Sequence, residues 1–252
     1  MTIDKRVADI AAAVAGIKDG ARVMVSGFGD AGNPTELLHA LIDQGARDLC
    51  IINNNAGTGR LGLAALMNAG RVRKVICSFP RSSHSEIFQQ LHRDGKVELC
   101  VVPQGTLAER IRAGGAGIGG FFTPTSAGTP LAEGKETRVI DGIEHVLEHP
   151  IHADVALIKA DKADPLGNLT YRLAARNFAP AMCMAAELSI VQTAKIVAPG
   201  DINAEDVVTP GIFVDRIVHV PDPISEAEVL LQQEAGSGEA ATGTNQQQAA
   251  GL

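Results

Sequence analysis

Four short apolar segments, each followed by a stretch of helical length, dominate the first half of the chain. They recur about every 25 residues, at residues 22–26, 49–52, 74–79 and 96–102. Strands that alternate with helices form a parallel sheet, and strands covered by helices on both faces are apolar throughout. The pattern therefore predicts an α/β fold with an open, mostly parallel sheet and helices on both of its faces.

Two further segments carry local signals. An alanine-rich amphipathic stretch predicts a first helix over residues 4–17. Residues 138–147 predict a short β-hairpin that turns at Asp141-Gly142, because this dipeptide favours the tight turn between paired strands.

Two segments interrupt the regular pattern. Residues 114–130 contain many Gly, Thr and Pro residues, and we expect a long glycine-rich loop there that cannot hold a helix. Long loops inside compact domains usually serve function. The composition of residues 231–252 shifts to Gln, Gly, Ala, Thr and Ser, which predicts a disordered tail after one domain over residues 1–230.

Charge and composition exclude several classes of function. The 252 residues carry a net charge of −7, which disfavours a nucleic-acid partner. No apolar run reaches the ~18 residues of a membrane span, and no signal peptide is recognisable. The cysteines are far apart, as expected of small buried side chains and not of disulfides or metal ligands; they are Cys50, Cys77, Cys100 and Cys183. We expect a cytoplasmic protein without a membrane partner.

The segment over residues 22–34 runs from a strand through Gly27, Gly29 and Gly32 into a helix. Backbone N–H groups at such a helix start suit an anion or a developing oxyanion. The same spacing occurs in dinucleotide sites, which also need an acidic residue about 20 positions further on. Residues 53–55 at that point are all Asn. A nicotinamide cofactor is therefore disfavoured.

Polar side chains follow the carboxyl ends of the predicted strands, where open α/β sheets bind ligands. We expect one residue of the Asn53, Asn54 and Asn55 row to face a ligand, although local turns also explain such residues. Gln104 is placed to bond a substrate carboxylate or amide, or merely to form a turn. Arg81 suits a carboxylate, with an ordinary surface arginine as the alternative.

No nucleophile or metal site is evident in the sequence. His145, His149 and His152 have a proline between them and strand-like neighbours, so we expect no metal. Glu36 and Glu109 are the glutamates that could attack a substrate, and ordinary ion pairing explains both of them better.

Longer motifs resemble the A-type subunit of the family I CoA-transferases. The likeness extends from about residue 4 to residue 220, and the motifs that carry it are DGARVMVSGFGDAGNP at 19–34, NNAG at 54–57, CSFPR at 77–81, PQGTLAERIRAGGAG at 103–117, FFTP at 121–124 and KADKADPLGNLTYRLAARNF at 159–178. Ser26 departs from the pattern, since the family usually has a further glycine there. The CSFPR motif resembles members that act on a dicarboxylic oxoacid.

The resemblance implies half of an enzyme. In this family a glutamate of the B-type half attacks the acyl-CoA thioester, and its motif is missing from this chain. The implied substrate is a CoA thioester, with succinyl-CoA as donor and a 3-oxoacid as acceptor, and no cofactor is bound permanently. The implied partner is a B-type subunit, in a heterotetramer of two A-type and two B-type chains.

The resemblance also implies roles for individual residues. Asn54 would donate to the oxyanion, Gln104 would hold the carboxylate of the oxoacid, and Arg81 would pair with its distal carboxylate. Glycines of the first turn and of the later loop would line the pocket with backbone; these are Gly27, Gly29, Gly32, Gly117 and Gly119.

Other functions remain possible at this stage. Within the family, acetoacetate or a short-chain fatty acid is the alternative acceptor. A non-catalytic module that binds acyl-CoA or a sugar phosphate would need no partner. A sugar-phosphate isomerase would need its own acid and base at the strand ends, where the chain carries asparagines.

Overall fold

The structure is a computed structural model that describes residues 3–82 and 84–232. Its α-helices are α1 (Ile10–Val14), α2 (Thr35–Gln44), α3 (Gly62–Asn68), α4 (Glu86–Arg93), α5 (Gln104–Gly115) and α6 (Ala179–Ala185). Its strands are β1 (Arg22–Val25), β2 (Leu49–Ile52), β3 (Val72–Cys77), β4 (Glu98–Val101), β5 (Phe121–Thr123), β6 (Thr137–Ile140), β7 (Ile143–Glu148), β8 (Ala153–Ala160), β9 (Lys162–Ala163), β10 (Leu169–Thr170), β11 (Ala186–Thr193) and β12 (Arg216–His219). Residues 226–232 are also helical.

Seven of these strands form the main sheet, in the order β12-β11-β8-β1-β2-β3-β4. Every pairing between them is parallel, which confirms the predicted α/β class. The chain starts in the middle of the sheet at β1, builds outward to β4, and then returns to β8 on the other side of β1. The carboxyl ends of β1 and β8 therefore form the switch point of the sheet, where folds of this class bind ligands.

Helices cover both faces of the sheet, as predicted. Apolar residues of α1 to α4 pack with Val23 and Val25 of β1 on one face, while α5 and α6 pack on the other face with Met24. This alternation follows from the two-residue period of a strand. The buried leucines of α2 each contribute about 1.5–3 kcal/mol of burial free energy; they are Leu37, Leu38 and Leu41.

The hairpin prediction is confirmed. Ile140 of β6 pairs with Ile143 of β7. The two residues between them, Asp141 and Gly142, have φ angles of 51° and 78°. Two successive positive φ angles give the turn whose twist matches that of paired strands. Strand β5 adds a third antiparallel member on the other side of β7.

The predicted helix over residues 4–17 is wrong for its first part. Lys5 and Val7 instead exchange backbone hydrogen bonds with Ile217, the Val7 N–H donating to Ile217 O at 2.9 Å. The helix starts only at Ile10, after the side chain of Asp9 accepts a hydrogen bond from the Ala12 N–H at 2.7 Å. Edge pairing along β12 competes successfully with a short helix, because the first helical turn is costly to form.

The prediction that residues 114–130 cannot hold a helix is wrong at its start. Helix α5 continues to Gly115. A Cβ atom at Gly114 would lie 2.3 Å from the carbonyl oxygen of Ile151, and one at Gly115 would lie 2.5 Å from Cβ of Met184. These glycines let α5 approach its neighbours closely, and the packing outweighs their low helix propensity of about 1 kcal/mol each.

Residues 233–252 of the predicted tail lie outside the described residues. The predicted boundary at residue 230 stays a prediction. Within the described chain, no helix has the length and apolar character needed to cross a membrane.

Replacing Gly114 with Ala should destabilise the chain by about 1–3 kcal/mol, because the new methyl group overlaps the Ile151 carbonyl. Gly105→Ala in the same helix is the matched control, since a Cβ there meets nothing within 4 Å. The control should be neutral or slightly stabilising. Urea unfolding of both variants measures the difference, and equal stability of the two would contradict the proposed packing of α5.

Candidate functional site

The turn after β1 lies at the switch point of the sheet and is held closed by its own backbone. Phe28 and Ala31 exchange two hydrogen bonds, with N···O distances of 3.0 and 3.1 Å. Gly27 has a φ of 140°, and a Cβ atom there would lie 2.0 Å from Oδ1 of Asn33. The turn therefore needs glycine at this position both for its backbone angle and for the space that Asn33 fills.

Some of the predicted anion donors of this turn are used within the chain. The Gly27 N–H donates to Oδ1 of Asn177 at 3.1 Å, and the Phe28 and Ala31 N–H groups bond within the turn. The N–H groups of Gly29 and Gly32 make no hydrogen bond to any described residue. These two are among the N–H donors of the turn that remain for a ligand.

Ser26, the position that departs from the family pattern, is fully buried. Its hydroxyl donates to the carbonyl of Gly32 at 2.7 Å and accepts from the N–H of Lys159 at 3.1 Å. The serine therefore ties the two ends of the glycine turn together and links them to β8. Its side chain points into the protein and not into the crevice.

The asparagine row divides by the alternation of strand side chains. Asn53 Oδ1 accepts from the N–H of Asn55 at 2.8 Å, and Asn55 Oδ1 accepts from the N–H of Gly57 at 2.8 Å. Asn53 also donates to the carbonyl of Val25 at 2.8 Å. These two asparagines form the local turns that the sequence left open as an explanation.

Asn54 lies on the other face and is bonded differently. Its Oδ1 accepts from Oγ of Ser78 and from Nε2 of Gln104, each at 2.8 Å. Because two donors fix the carbonyl end, the amide nitrogen Nδ2 has a defined position, and it has no partner among the described residues. An oriented and unpaired N–H donor at a strand end is suited to a ligand oxygen.

Gln104 and Ser78 bond the side chain of Asn54, and the three residues together form the asparagine cluster. Gln104 is the first residue of α5, and its side chain is exposed beyond the amide that bonds Asn54. Ser78 follows β3, and its backbone N–H also donates to the backbone carbonyl of Asn54 at 3.1 Å. Sequence reasoning did not single out Ser78, because a lone serine after a strand has no distinguishing pattern.

Arg81 lies at the same edge. The N–H of Phe79 donates to the carbonyl of Asn54 at 3.0 Å, which places the segment that leads to Arg81 next to the cluster. Arg81 is exposed, and its guanidinium makes no ion pair with a described residue. Phe28 in the glycine turn and Phe79 after β3 are 46% and 59% exposed, so these two large apolar side chains can cover a bound ligand or meet a partner.

Gly117 and Gly119 are not brought to this cluster by the described chain. Helix α5 starts at Gln104, and its 12 residues span about 18 Å before these glycines follow. Gly114, near that far end, packs against Ile151 just before β8 begins. Their role in substrate binding stays a prediction.

A cavity of about 450 Å³ opens on the other side of the glycine turn, at the carboxyl ends of β8 and β11. Backbone of Ala31 and Gly32 forms one wall, and Lys159, Arg172 and Thr193 also line it. A larger groove of about 750 Å³ lies between α1 and α2, away from the asparagine cluster.

No candidate nucleophile in the described chain is free to attack. Glu36 accepts hydrogen bonds from Gln192 and from the N–H of Ile224, while exposed Glu109 pairs with Arg112 at 2.8 Å. Burial raises the pKa of the Cys77 thiol to about 12, so the thiolate that would react is absent at neutral pH.

Glu226 is a buried carboxylate that the sequence analysis did not single out. Glu226 is 7% exposed and accepts hydrogen bonds from Oγ1 of Thr35 at 2.6 Å and from Nδ2 of Asn33 at 3.1 Å. Burial raises the pKa of the Glu226 carboxyl above its ordinary value. The segment has no motif that announces this role, since the partners are almost 200 residues away in sequence.

No group of three or more metal-binding side chains occurs in the part of the chain that the structure describes. His145 makes only a local contact, with Nδ1 2.8 Å from the carbonyl of Ile143.

Comparisons with known proteins identify relatives of this chain. The chain is 62% identical over 218 residues to the A-type subunit of the 3-oxoadipate CoA-transferase of Pseudomonas putida, a match that covers 86% of this chain and 94% of that protein. It is 48% identical over 215 residues to the A-type subunit of the succinyl-CoA:3-ketoacid coenzyme A transferase of Xanthomonas campestris, covering 85% of this chain and 88% of that protein.

A solved acyl-CoA transferase of Escherichia coli has the same fold. It superposes with a TM-score of 0.78 at 25% identity, over 89% of this chain and 48% of that one. The chain thus spans about half the length of that protein. The family described as Coenzyme A transferase matches residues 7–220. With that match and a relative at 62% identity, the chain belongs to the Coenzyme A transferase family.

Proposed function

We propose that this chain is the A-type subunit of a CoA-transferase that moves CoA from succinyl-CoA to 3-oxoadipate, with the glutamate nucleophile supplied by a separate B-type subunit. The observation that carries the proposal is Asn54, whose carbonyl oxygen is held by two donors while its Nδ2 stays unpaired within the described chain. An amide donor fixed in this way suits the oxyanion of an acyl-transfer intermediate.

Each step of the proposed reaction passes through such an oxyanion. The partner's glutamate would attack the thioester carbonyl of succinyl-CoA to give a tetrahedral intermediate, and the acyl anhydride would form as CoA leaves this intermediate as a thiolate. The thiolate then attacks the glutamyl carbonyl and releases succinate. The carboxylate of the acceptor would then attack the glutamyl-CoA thioester and release CoA as a thiolate. That thiolate would attack the acceptor's acyl carbonyl in the new anhydride, which yields the acyl-CoA product and restores the glutamate. A preorganised donor at the oxyanion contributes ~3 kcal/mol in comparable sites.

The need for a partner follows from what the described chain lacks. Glu36 and Glu226 both accept hydrogen bonds inside the protein, and Glu109 is ion-paired on the surface. The relatives are named as A-type subunits, and the chain covers only 48% of the acyl-CoA transferase with which it superposes. A B-type subunit would supply the remaining half, and two chains of each kind would form the complete enzyme.

The remaining residues have proposed roles in binding. One N–H of the Gln104 amide bonds Asn54, and the other N–H would donate to the carboxylate of the oxoacid. Gly29 and Gly32 would offer their unpaired N–H groups, and the Gly27 turn would supply the wall. Arg81, exposed and without an ion pair to any described residue, would meet the distal carboxylate of the acceptor. Gly117 and Gly119 would act only where a partner chain meets the far end of α5.

No resident cofactor is part of the proposal, because the CoA thioester itself brings the reactive group. We place the enzyme in the cytoplasm. Cys50, Cys77 and Cys183 are buried free thiols, and free thiols are usual where the redox environment is reducing.

A monocarboxylic acceptor such as acetoacetate or a short-chain fatty acid is the second candidate. The Xanthomonas relative, which is named for 3-ketoacids, favours it. The two acceptors differ by the distal carboxylate, so Arg81 decides between them. A non-catalytic acyl-CoA or sugar-phosphate module would bind its ligand without a partner and without turnover.

Asn54→Ala in the complex with a B-type subunit should lower kcat by about 100- to 1,000-fold, because the oxyanion loses its oriented donor. Ser78→Ala should cost less than about 10-fold, since Gln104 still holds the amide. Steady-state transfer from succinyl-CoA measures both. Asn68→Ala on α3 is the control, because Asn68 is exposed and lies outside the cluster. An Asn54→Ala enzyme with the turnover of the control would refute the proposed role.

Arg81→Ala should lower kcat/KM for 3-oxoadipate by about 10- to 100-fold, because a charge-assisted hydrogen bond to the distal carboxylate is lost. The value for acetoacetate should stay unchanged, since that acid has no second carboxylate. Arg73→Ala, at an exposed position on β3, controls for the loss of one positive charge. If Arg81→Ala leaves the ratio of the two kcat/KM values as it is in the wild type, the assignment of Arg81 is wrong.

A further inference from the structure

A short segment beyond the family match lies against the glycine turn. The match ends at residue 220, and Ile224 follows shortly after it. The N–H of Ile224 donates to the carboxylate of Glu36, and its carbonyl accepts from Nζ of Lys159 at 3.4 Å. Side chains from α2 and β8 thus hold the chain across the switch point of the sheet.

This segment delivers Glu226 to a closed site under the turn. Oγ1 of Thr35 and Nδ2 of Asn33 donate to its two oxygens, at 2.6 and 3.1 Å. A Cβ atom at Gly62 would lie 2.1 Å from Oε1 of Glu226, so the carboxylate packs closely against this glycine. The cavity beside it holds only about 10 Å³, roughly the space of one water. Glu226 is therefore almost enclosed, with little space beside it for a substrate.

Asn33 connects the carboxylate to the turn. The same Nδ2 that bonds Glu226 also donates to the carbonyl of Gly29 at 3.2 Å. Oδ1 of Asn33 fills the space beneath Gly27. A fixed Asn33 therefore sets the backbone of the turn at two points.

We propose that Glu226 is a positioning residue for CoA transfer, which fixes the Gly27–Asn33 turn through Asn33. The inference rests on the proposed function, since it assumes that this turn lines the substrate pocket. The carboxylate also lies at the first residue of α2, Thr35, and beside the first residue of α3, Gly62. The Thr35 hydroxyl thus ties Glu226 to the start of α2, which has no side-chain cap of its own.

The charge of Glu226 makes part of this arrangement depend on pH. Burial raises the pKa of the carboxyl, hydrogen bonds from Thr35 and Asn33 oppose the rise, and the charges of Asp30 and His39 act in opposite directions. A raised pKa in the folded chain means stability that is complete below the ordinary pKa of Glu and is lost as the pH rises through the raised value.

Glu226→Gln removes this charge and should therefore gain stability relative to the wild type as the pH rises from about 4, near the ordinary pKa of Glu, to about 8. Urea unfolding of the full chain at both pH values measures the gain. Glu228→Gln, at an exposed position in the same helical segment, should show no such change. A constant difference between Glu226→Gln and the wild type across this range would contradict a buried, titrating carboxylate.

The positioning role is tested by Glu226→Ala, with Glu226→Gln as the conservative variant and Glu228→Ala as the control. Hydrogen exchange of the isolated chain reads the turn directly, because the Phe28 and Ala31 amides bond each other's carbonyls. Glu226→Ala should speed their exchange by at least about 10-fold while the amides of β2 keep the wild-type rate. Glu226→Gln should restore slow exchange, because its carbonyl can accept from Asn33 while its amide donates to Thr35.

The complex with a B-type subunit then connects the turn to catalysis. Glu226→Ala should lower kcat by about 10-fold or more with little change in KM for succinyl-CoA, and Glu226→Gln should recover most of it. Unchanged exchange in the turn, equal acceleration in β2, or loosened exchange with unchanged kcat would each overturn the inference. If the wild-type chain with its B-type subunit transfers no CoA, that result would instead contradict the proposed function, whatever the exchange data show.

Discussion

The space beneath Gly27 governs the geometry at the carboxyl edge of the sheet. Because this residue has no side chain, Oδ1 of Asn33 occupies the place where a Cβ atom would be. Asn33 then holds Gly29 on one side and Glu226 on the other. Asn177 closes the turn from the opposite side, accepting from the Gly27 N–H and donating to the Ala31 carbonyl. A side chain at Gly27 would displace all of these contacts together.

The asparagine cluster next to this turn uses a different principle. Asn54 takes its orientation from Ser78, directly after β3, and from Gln104, the first residue of the helix that follows β4. A donor held by its neighbours needs no reorganisation when charge develops on a ligand, and that is what makes such donors effective in acyl transfer. A chain that offers an oriented donor, and whose candidate glutamates Glu36 and Glu109 already bond other groups of the chain, fits the electrostatic half of a shared active site.

The sequence predicts the sheet well because its signals are local and repeated. Apolar strands followed by helices predict the parallel pairing of the sheet, and Asp141-Gly142 predicts the hairpin. The predictions that were wrong depend on distant contacts. Residues 4–17 look helical in isolation, but Lys5 and Val7 pair with Ile217. Gly114 has the composition of a loop residue, but it lies in a helix because only glycine leaves room for the carbonyl of Ile151, 37 residues later in the sequence.

The site shows the same division. A polar residue at a strand end points to the crevice, so Asn54 and Gln104 could be singled out, but only the pleat of the strand separates Asn54 from Asn53 and Asn55. Ser78 and Glu226 carry no local signal. Their importance arises from one hydroxyl that reaches Asn54 and one carboxylate that reaches Asn33.

The central claim is that this chain is the electrostatic half of a CoA-transferase and lacks the nucleophile. The most direct measurement is the rate of CoA transfer from succinyl-CoA to 3-oxoadipate, with the purified chain alone and with a co-expressed B-type subunit. The account predicts transfer by the pair and none by the chain alone. Transfer by the chain alone would contradict it, because a nucleophile would then have to lie within these 252 residues.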